Sequence, residues 1–217
     1  MASIFRAGAR FVIGVFFKVF TRCYLIGGNR IIKKGPLIVV ANHPSLFDPP
    51  LIGTILRREA CFMAKEGLFS SGATTFLLKA LGAFPLGRNQ LSRQALKQTL
   101  DTIKKGKVLV IFPEGGRSDH GRMRKAMPGA VVLAIKLKAP ILPIAISDTQ
   151  RITSYKDLLR RPRIKVIVGE AFYPEVGDGS IKGQAAETTD MIMQHIAALL
   201  PQEYHGYYAT RGESVGA

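Results

Sequence analysis

LIVVANHPSLFDPP, residues 37–50, joins a short apolar run to a stretch that contains three prolines. The run from Leu37 to Ala41 has the composition of a buried strand. Pro44 disfavours helical backbone at the residue before it, and Asp48 followed by proline is typical of a helix N-terminus with aspartate as the N-cap. The stretch therefore predicts a strand, a turn and a helix that begins at about Pro49.

His43 and Asp48 lie five residues apart within this turn. Five residues rotate about 140° along a helix and end on opposite faces of a strand, so only a turn brings the two side chains together. In such a turn the carboxylate can accept from the imidazole, which fixes the tautomer and leaves the other ring nitrogen as a general base. The alternative is an aspartate that caps a helix beside an ordinary loop histidine.

Outward from this stretch, short apolar runs alternate with longer helical patterns. This alternation predicts a single α/β domain with a mixed, largely parallel central sheet flanked by helices. The predicted strands are 37–41, 60–63, 107–112, 141–146 and 163–169. The predicted helices are 49–57, 73–81, 90–105, 127–138 and 185–200.

FPEGGRS, residues 112–118, follows a strand that is apolar on both faces, and the carboxyl ends of such strands bind ligands. The glycines allow a tight turn whose amides can face an anion, and Arg117 adds a forked donor suited to phosphate. Glu114 can hold Arg117 in place or accept from a substrate hydroxyl. The alternative is a surface turn with a solvated ion pair.

Two more apolar runs end in a basic residue, Lys65 after FMA and Arg88 after AFPLG. We expect them to gather with His43 and Arg117 at one edge of the sheet. A site with one base and several side chains that can donate hydrogen bonds to phosphate suits base-assisted attack by the hydroxyl of a phosphorylated substrate.

The chain carries 31 basic and 15 acidic residues, a formal net charge of +16, which indicates an anionic partner. Nucleic acid, a membrane surface and phosphorylated substrates all qualify. The sequence lacks a recognition helix and basic residues interleaved with aromatic ones, so we expect no nucleic-acid binding. Cys23 and Cys61 have no metal-ligand spacing, so we expect no disulfide, metal or cofactor and a reducing, cytoplasmic compartment.

The first 25 residues are apolar but interrupted by basic residues, and their longest uncharged run, 11–17, is far shorter than the ~20 residues that span a bilayer. On a helical wheel the basic residues fall within about 160° of one another, opposite Phe16 and Val19 among others. This pattern predicts a helix in the interface of an anionic leaflet. The alternatives are a signal peptide, against which the internal charges argue, and a helix packed on its own domain. The four basic residues are Arg6, Arg10, Lys18 and Arg22.

Four blocks occur in order along the chain: NHPSLFD, FMAKEGLF leading to GAFPLGR, IFPEGGRS, and APILPIAI. In this order and spacing they resemble the four sequence blocks of the glycerolipid acyltransferases, in particular the bacterial 1-acyl-glycerol-3-phosphate acyltransferases. The resemblance extends over roughly residues 20 to 208.

The resemblance implies that His43 deprotonates an acceptor hydroxyl, which attacks an acyl thioester, and that Asp48 orients His43. It implies a donor, acyl-CoA or acyl-carrier protein, and the acceptor lysophosphatidate, with phosphatidate as the product. It further implies that Pro143 shapes a pocket. The residues that it implies for acceptor binding or for lining the site are Lys65, Arg88, Glu114, Gly115, Gly116, Arg117 and Ser118.

The resemblance also implies an α/β acyltransferase domain, here 31–217, and a basic amphipathic membrane-associating segment, here 1–30. The expected location is the cytoplasmic face of the cell membrane, as a peripheral or monotopic protein on an anionic surface.

Two departures from the family pattern leave the choice of acceptor open. Gly116 stands where threonine is more usual, and AMPG at 126–129 replaces a more usual FKKG. Another lysophospholipid, an acylated amino-acid lipid or glycerol phosphate is an alternative acceptor. Two further alternatives are a non-catalytic basic membrane-binding module and a hydrolase, although the chain has no Gly-x-Ser-x-Gly elbow.

Overall fold

The computed structural model describes residues 2–86, 93–175 and 181–209, which contain seven strands and seven α-helices. From residue 37 onward, strands and α-helices alternate along the chain. The strands are β1 (Arg22–Ile26), β2 (Leu37–Ala41), β3 (Ala60–Lys65), β4 (Ala83–Leu86), β5 (Val108–Ile111), β6 (Ile141–Ser147) and β7 (Arg163–Val168). The helices are α1 (Ala2–Phe20), α2 (Asp48–Ile55), α3 (Gly72–Ala80), α4 (Arg93–Lys104), α5 (Gly129–Leu137), α6 (Tyr155–Leu159) and α7 (Ile181–Ala198).

The strands form one sheet in the order β1-β7-β6-β2-β5-β3-β4. Every neighbouring pair is parallel except β6 and β7. The predicted mixed, largely parallel α/β sheet is thereby confirmed. Because β6, β2, β5, β3 and β4 run in the same direction, their carboxyl ends and the loops that follow them meet at one edge.

Strand β2 occupies the middle of the sheet, and none of its residues is more than 1% exposed. Leu37 and Val39 belong to the core formed with α1 and α2, whereas Ile38 and Val40 belong to the core formed with α5 and α7. Burial on both faces explains why this strand is an unbroken apolar run rather than an alternating one.

The turn after β2 differs in one detail from the prediction. Phe47 is the N-cap of α2, Asp48 is the first residue of the helix, and no side chain caps its N-terminus. The prediction that Asp48 is the N-cap is therefore wrong. Its carboxylate instead faces back into the turn, where the backbone amide of Ser45 donates to it.

The N-terminal helix α1 packs on the domain through Phe17, which is 4% exposed, and Arg6 forms an ion pair with Glu59 at 3.0 Å. The helix ends at Phe20, and Arg22 is the first residue of β1, which pairs with β7. The four basic residues of the leader therefore do not all lie on one helix. Within the described ranges, no helix combines the length and the apolar character needed to cross a membrane.

Candidate active site

The loops after β2 and β5 form the centre of the site and are joined by one backbone hydrogen bond and one hydrogen bond from a backbone amide to a carboxylate. The amide of Ser118 donates to the carbonyl of His43 at 2.9 Å, and the amide of His43 donates to Oε1 of Glu114 at 2.9 Å. Beside them, the side-chain amide of Asn42 both donates to and accepts from the backbone of Ile146, at 2.8 Å each. Asn42 thus prolongs the pairing of β2 with β6 up to the residue before His43.

His43 and Asp48 are in direct contact, with His43 Nδ1 2.8 Å from Oδ2 of Asp48. Asp48 is fully buried, whereas the His43 side chain is 13% exposed. When Nδ1 donates to the carboxylate, Nε2 of the neutral ring carries no hydrogen and can accept a proton. The turn thus brings together the two residues that the sequence singled out.

Two further groups hold the Asp48 carboxylate. The Ser45 amide donates to Oδ2 at 2.6 Å, and the hydroxyl of Thr149 donates to Oδ1 at 2.7 Å. Burial raises the pKa of Asp48, and the hydrogen bonds from His43, Thr149 and Ser45 act in the opposite direction. Each carboxylate oxygen has a fixed donor, so Oδ2 is held toward the imidazole.

The ring of Phe112 fixes the plane of the imidazole. The centroids of the Phe112 and His43 rings lie 4.2 Å apart with an interplanar angle of 24°, a stacked arrangement. Phe112 directly follows β5. The ring of His43 is therefore positioned by the Asp48 carboxylate at Nδ1 and by the stacked face of Phe112.

Glu114 is 5% exposed and has both oxygens engaged by backbone amides. Oε1 accepts from His43 and Oε2 accepts from Arg124, at 2.9 and 2.8 Å. Burial raises the pKa of Glu114, and these two amides oppose that shift. Among the described residues Glu114 forms no hydrogen bond or ion pair with Arg117, because both of its oxygens hold backbone amides. The expected role of holding Arg117 is therefore not observed, and an interaction of Glu114 with substrate stays a prediction.

The glycine-rich turn brings Arg117 to the surface of the site. Gly115 has a φ of +67°, and its amide donates to the carbonyl of Phe112 at 3.1 Å, which closes a tight turn that favours glycine. Gly116 is half-buried, Ser118 is buried, and Arg117 is exposed. The Nη1 atom of Arg124 donates to the carbonyl of Arg117 at 3.4 Å.

Three other predicted residues have less defined places. Lys65 is the last residue of β3, and its side chain lies outside the described part of the structure. Arg88 lies outside the described residues. Pro143 is buried within β6 opposite Val40, so its role in shaping a pocket stays a prediction.

Thr149 and Arg124 are the contacts that the sequence did not reveal. Thr149 is 101 residues from Asp48 in the chain and reaches it only because β6 pairs with β2. Arg124 lies six residues beyond the FPEGGRS motif and contacts Glu114 through its backbone amide, a contact that any residue type could make. No local sequence signal marks either residue.

A family model described as acyltransferase matches residues 23–147 of the chain. The chain belongs to the acyltransferase family. This confirms the family resemblance that the four sequence blocks carry.

Several named relatives are similar to this acyltransferase. It is 29% identical over 166 residues to the chloroplastic 1-acyl-sn-glycerol-3-phosphate acyltransferase BAT2 of Brassica napus, which covers 72% of this chain and 47% of the relative. It is also 29% identical over 183 residues to the 1-acyl-sn-glycerol-3-phosphate acyltransferase of Bacillus subtilis strain 168, a match that covers 81% of this chain and 89% of the relative. The chain thus spans about half the length of the plant relative and most of the Bacillus one.

A solved structure has the same fold as this acyltransferase. It is the 1-acyl-sn-glycerophosphate (LPA) acyltransferase PlsC from Thermotoga maritima, with a TM-score of 0.67 and 24% identity over 89% of this chain and 80% of that one. At this identity the likeness bears on the fold, and it agrees with the α/β sheet flanked by helices.

Proposed function

We propose that this acyltransferase moves a fatty acyl group from acyl-CoA or acyl-carrier protein to the free hydroxyl of 1-acyl-glycerol-3-phosphate, forming phosphatidate. The observation that carries the proposal is the 2.8 Å contact between His43 Nδ1 and a fully buried Asp48. A histidine held in this way is a base without a nucleophile attached to it, so the substrate supplies the attacking oxygen. The names of the Brassica and Bacillus relatives support the choice of acceptor.

In the proposed reaction, Nε2 of His43 takes the proton of the acceptor hydroxyl as its oxygen attacks the thioester carbonyl. The bond between carbon and oxygen forms, the bond between carbon and sulfur breaks, and the thiol leaves with the proton from the imidazolium. Asp48 stabilises the imidazolium while it carries that proton. The products are a glycerolipid ester and the free thiol of the donor.

The acceptor is proposed to bind along the loop after β5. Arg117 is exposed, and the residue after it, Ser118, donates its backbone amide to the carbonyl of His43. The backbone of Arg117 therefore lies beside that of His43. A guanidinium offers paired donors to phosphate oxygens. This arrangement supports binding of the phosphate next to the base, with the acceptor hydroxyl directed to Nε2.

We also propose that α1 docks the protein on an anionic membrane at the cytoplasmic face, where a lipid acceptor and a soluble donor both reach the site. Phe11, Val12, Val15 and Val19 are exposed on one side of α1, and Phe11 is 73% exposed. Lys18 lies exposed beside them. Apolar side chains with a basic neighbour bind anionic leaflets.

The test of the reaction compares wild type with His43→Ala in liposomes that contain lysophosphatidate, using labelled acyl-CoA and acyl-carrier protein in turn. Because general-base help is worth about 10²- to 10⁴-fold, we expect the variant to lose at least about 10²-fold in kcat. His195→Ala removes an exposed histidine of α7 and serves as the matched control, with circular dichroism to compare folding.

The alternatives give other outcomes in the same assay. Competition between lysophosphatidate and other lysolipids identifies a different acceptor, and fatty acid released without acceptor indicates a hydrolase. Lipid binding by wild type without turnover of either donor contradicts the proposed reaction and indicates a membrane-binding module.

A further inference from the structure

The Glu114 carboxylate fixes the position of a second arginine next to the base. Its Oε1 accepts from the amide of His43, and its Oε2 accepts from the amide of Arg124. The backbones of His43 and Arg124 therefore flank a single buried carboxylate. Arg124 is held beside His43 by its main chain, which leaves its side chain available for other contacts.

The guanidinium of Arg124 lies along the glycine-rich turn toward Arg117. Its Nη1 atom donates to the Arg117 carbonyl at 3.4 Å, and both arginine side chains are exposed. Across the described ranges, neither guanidinium forms an ion pair with a carboxylate. The charge of Arg124 also acts to lower the pKa of Glu114, against the burial that raises it, but among the described residues the guanidinium itself forms an ion pair with no carboxylate. Two exposed cations on adjacent backbone segments favour an anion that contacts both.

The loop that carries Arg124 is held in place by the C-terminal residues. The amide of Met123 donates to the carbonyl of Tyr204 at 2.8 Å, and the amide of Tyr207 donates to the carbonyl of Met123 at 2.9 Å. The amide of Ala126 donates to the hydroxyl of Tyr208 at 3.0 Å. A donor whose backbone is already fixed loses less conformational freedom when it binds a ligand.

We propose that Arg124 binds the phosphate monoester of the acceptor together with Arg117 and determines acceptor specificity. This inference rests on the proposed function. A phosphate monoester carries close to two negative charges near neutral pH and three acceptor oxygens, which two guanidiniums match. An acceptor without phosphate cannot use the second arginine, and a phosphodiester offers one charge less.

The test measures steady-state kinetics of wild type and Arg124→Gln with 1-acyl-glycerol-3-phosphate in mixed micelles. The variant keeps the main-chain amide on Glu114 and removes only the charge and fork. We expect KM for this acceptor to rise about 10- to 100-fold, the range for a lost charged hydrogen bond, while kcat changes less than about twofold. Arg124→Lys keeps the positive charge but loses the paired donors of the guanidinium. Its KM is expected to lie between those of wild type and Arg124→Gln.

Lys125→Gln is the matched control, because this neighbouring exposed lysine places its Nζ over the Tyr207 ring, 5.7 Å from the centroid. Its KM is expected to equal that of wild type. A second readout is the ratio of kcat/KM for 1-acyl-glycerol-3-phosphate to that for 1-acyl-glycerol. This ratio falls in Arg124→Gln if Arg124 contacts the phosphate. If Arg124 has only a structural role, kcat/KM falls equally for both acceptors and the ratio does not change.

The outcomes separate this inference from the proposed function. If wild type does not acylate 1-acyl-glycerol-3-phosphate, the proposed function fails. If wild type turns it over and Arg124→Gln retains the wild-type KM, or loses activity equally with both acceptors, the inference about Arg124 is overturned.

Discussion

Asp48 begins the helix that follows β2, Glu114 lies in the loop after the neighbouring strand β5, and both carboxylates are buried. Asp48 contacts the His43 ring, the Thr149 hydroxyl and one backbone amide. Glu114 contacts two backbone amides, and the charge of the His43 ring acts on it without a hydrogen bond between the two side chains. A carboxylate that contacts an imidazole affects its proton affinity, while one that contacts amides holds the chain in place. We therefore expect Asp48 to act on the chemistry and Glu114 on the shape of the site.

The strongest test of this comparison is Asp48→Asn. The amide side chain cannot stabilise an imidazolium as a carboxylate does and can orient the ring in the wrong tautomer. We expect kcat to fall about 10²- to 10⁴-fold with little change in the KM for the acceptor. Asp101→Asn, at an exposed position of α4, is the control. A loss of less than about fivefold would show that Asp48 is structural only.

Glu114→Gln tests the other half of the comparison and should have a smaller effect on turnover. Glutamine has one acceptor oxygen, so one of the buried amides of His43 and Arg124 loses its partner. We expect the free energy of unfolding to fall by about 1–2 kcal/mol and the melting temperature by about 2–8 °C. We expect kcat to change less than about tenfold, because the contact of His43 with Asp48 remains.

Thermal unfolding and kinetics of Glu114→Gln are measured beside Glu175→Gln, which alters an exposed glutamate. If Glu114→Gln reduces kcat as much as Asp48→Asn while its melting temperature is unchanged, the two carboxylates do not differ in the way that we infer.

The parts of the fold with a local signal were predictable from the sequence. LIVVA gave a central strand because burial on both faces requires an apolar residue at every position, and the prolines with His43 and Asp48 gave the turn. Strand β1 was not predicted, because all five of its residues are exposed and it lacks an apolar alternation. Helix α6 was also missed, although the capping box of Ser154 and Asp157 was a usable signal.

The candidate site was predictable to the same extent. The sequence identified the pair within one turn, and the structure places it in contact. Contacts that depend on strand order or on distant parts of the chain were not predictable. Neither the pairing of β6 with β2 nor the hydrogen bonds of Met123 and Ala126 with Tyr204 and Tyr208 has a local sequence pattern. Thr149 and Arg124 belong to this second group.

Thr149→Val tests whether Asp48 acts on the chemistry through its own ionisation. Of the substitutions at Asp48, Glu114 and Thr149, it should have the smallest effect on activity. The Thr149 hydroxyl opposes the burial that raises the pKa of Asp48, because it donates to the ionised carboxylate at 2.7 Å. Without this donor, Asp48 loses one of the interactions that lower its pKa, so the hydrogen-bonded pair as a whole keeps its proton to a higher pH. We therefore expect the acid limb of kcat/KM to move to higher pH by up to about one unit, the equivalent of one hydrogen bond.

The pH profile is measured for wild type, Thr149→Val and Thr149→Ser, with melting temperatures in parallel. Thr149→Ser keeps the hydroxyl and should retain the wild-type acid limb, although it loses a buried methyl group and some stability. Valine keeps the volume and loses the hydroxyl, so the two variants separate packing from hydrogen bonding. An unmoved acid limb in Thr149→Val would mean that Thr149 supports the fold and does not act through Asp48 on the base.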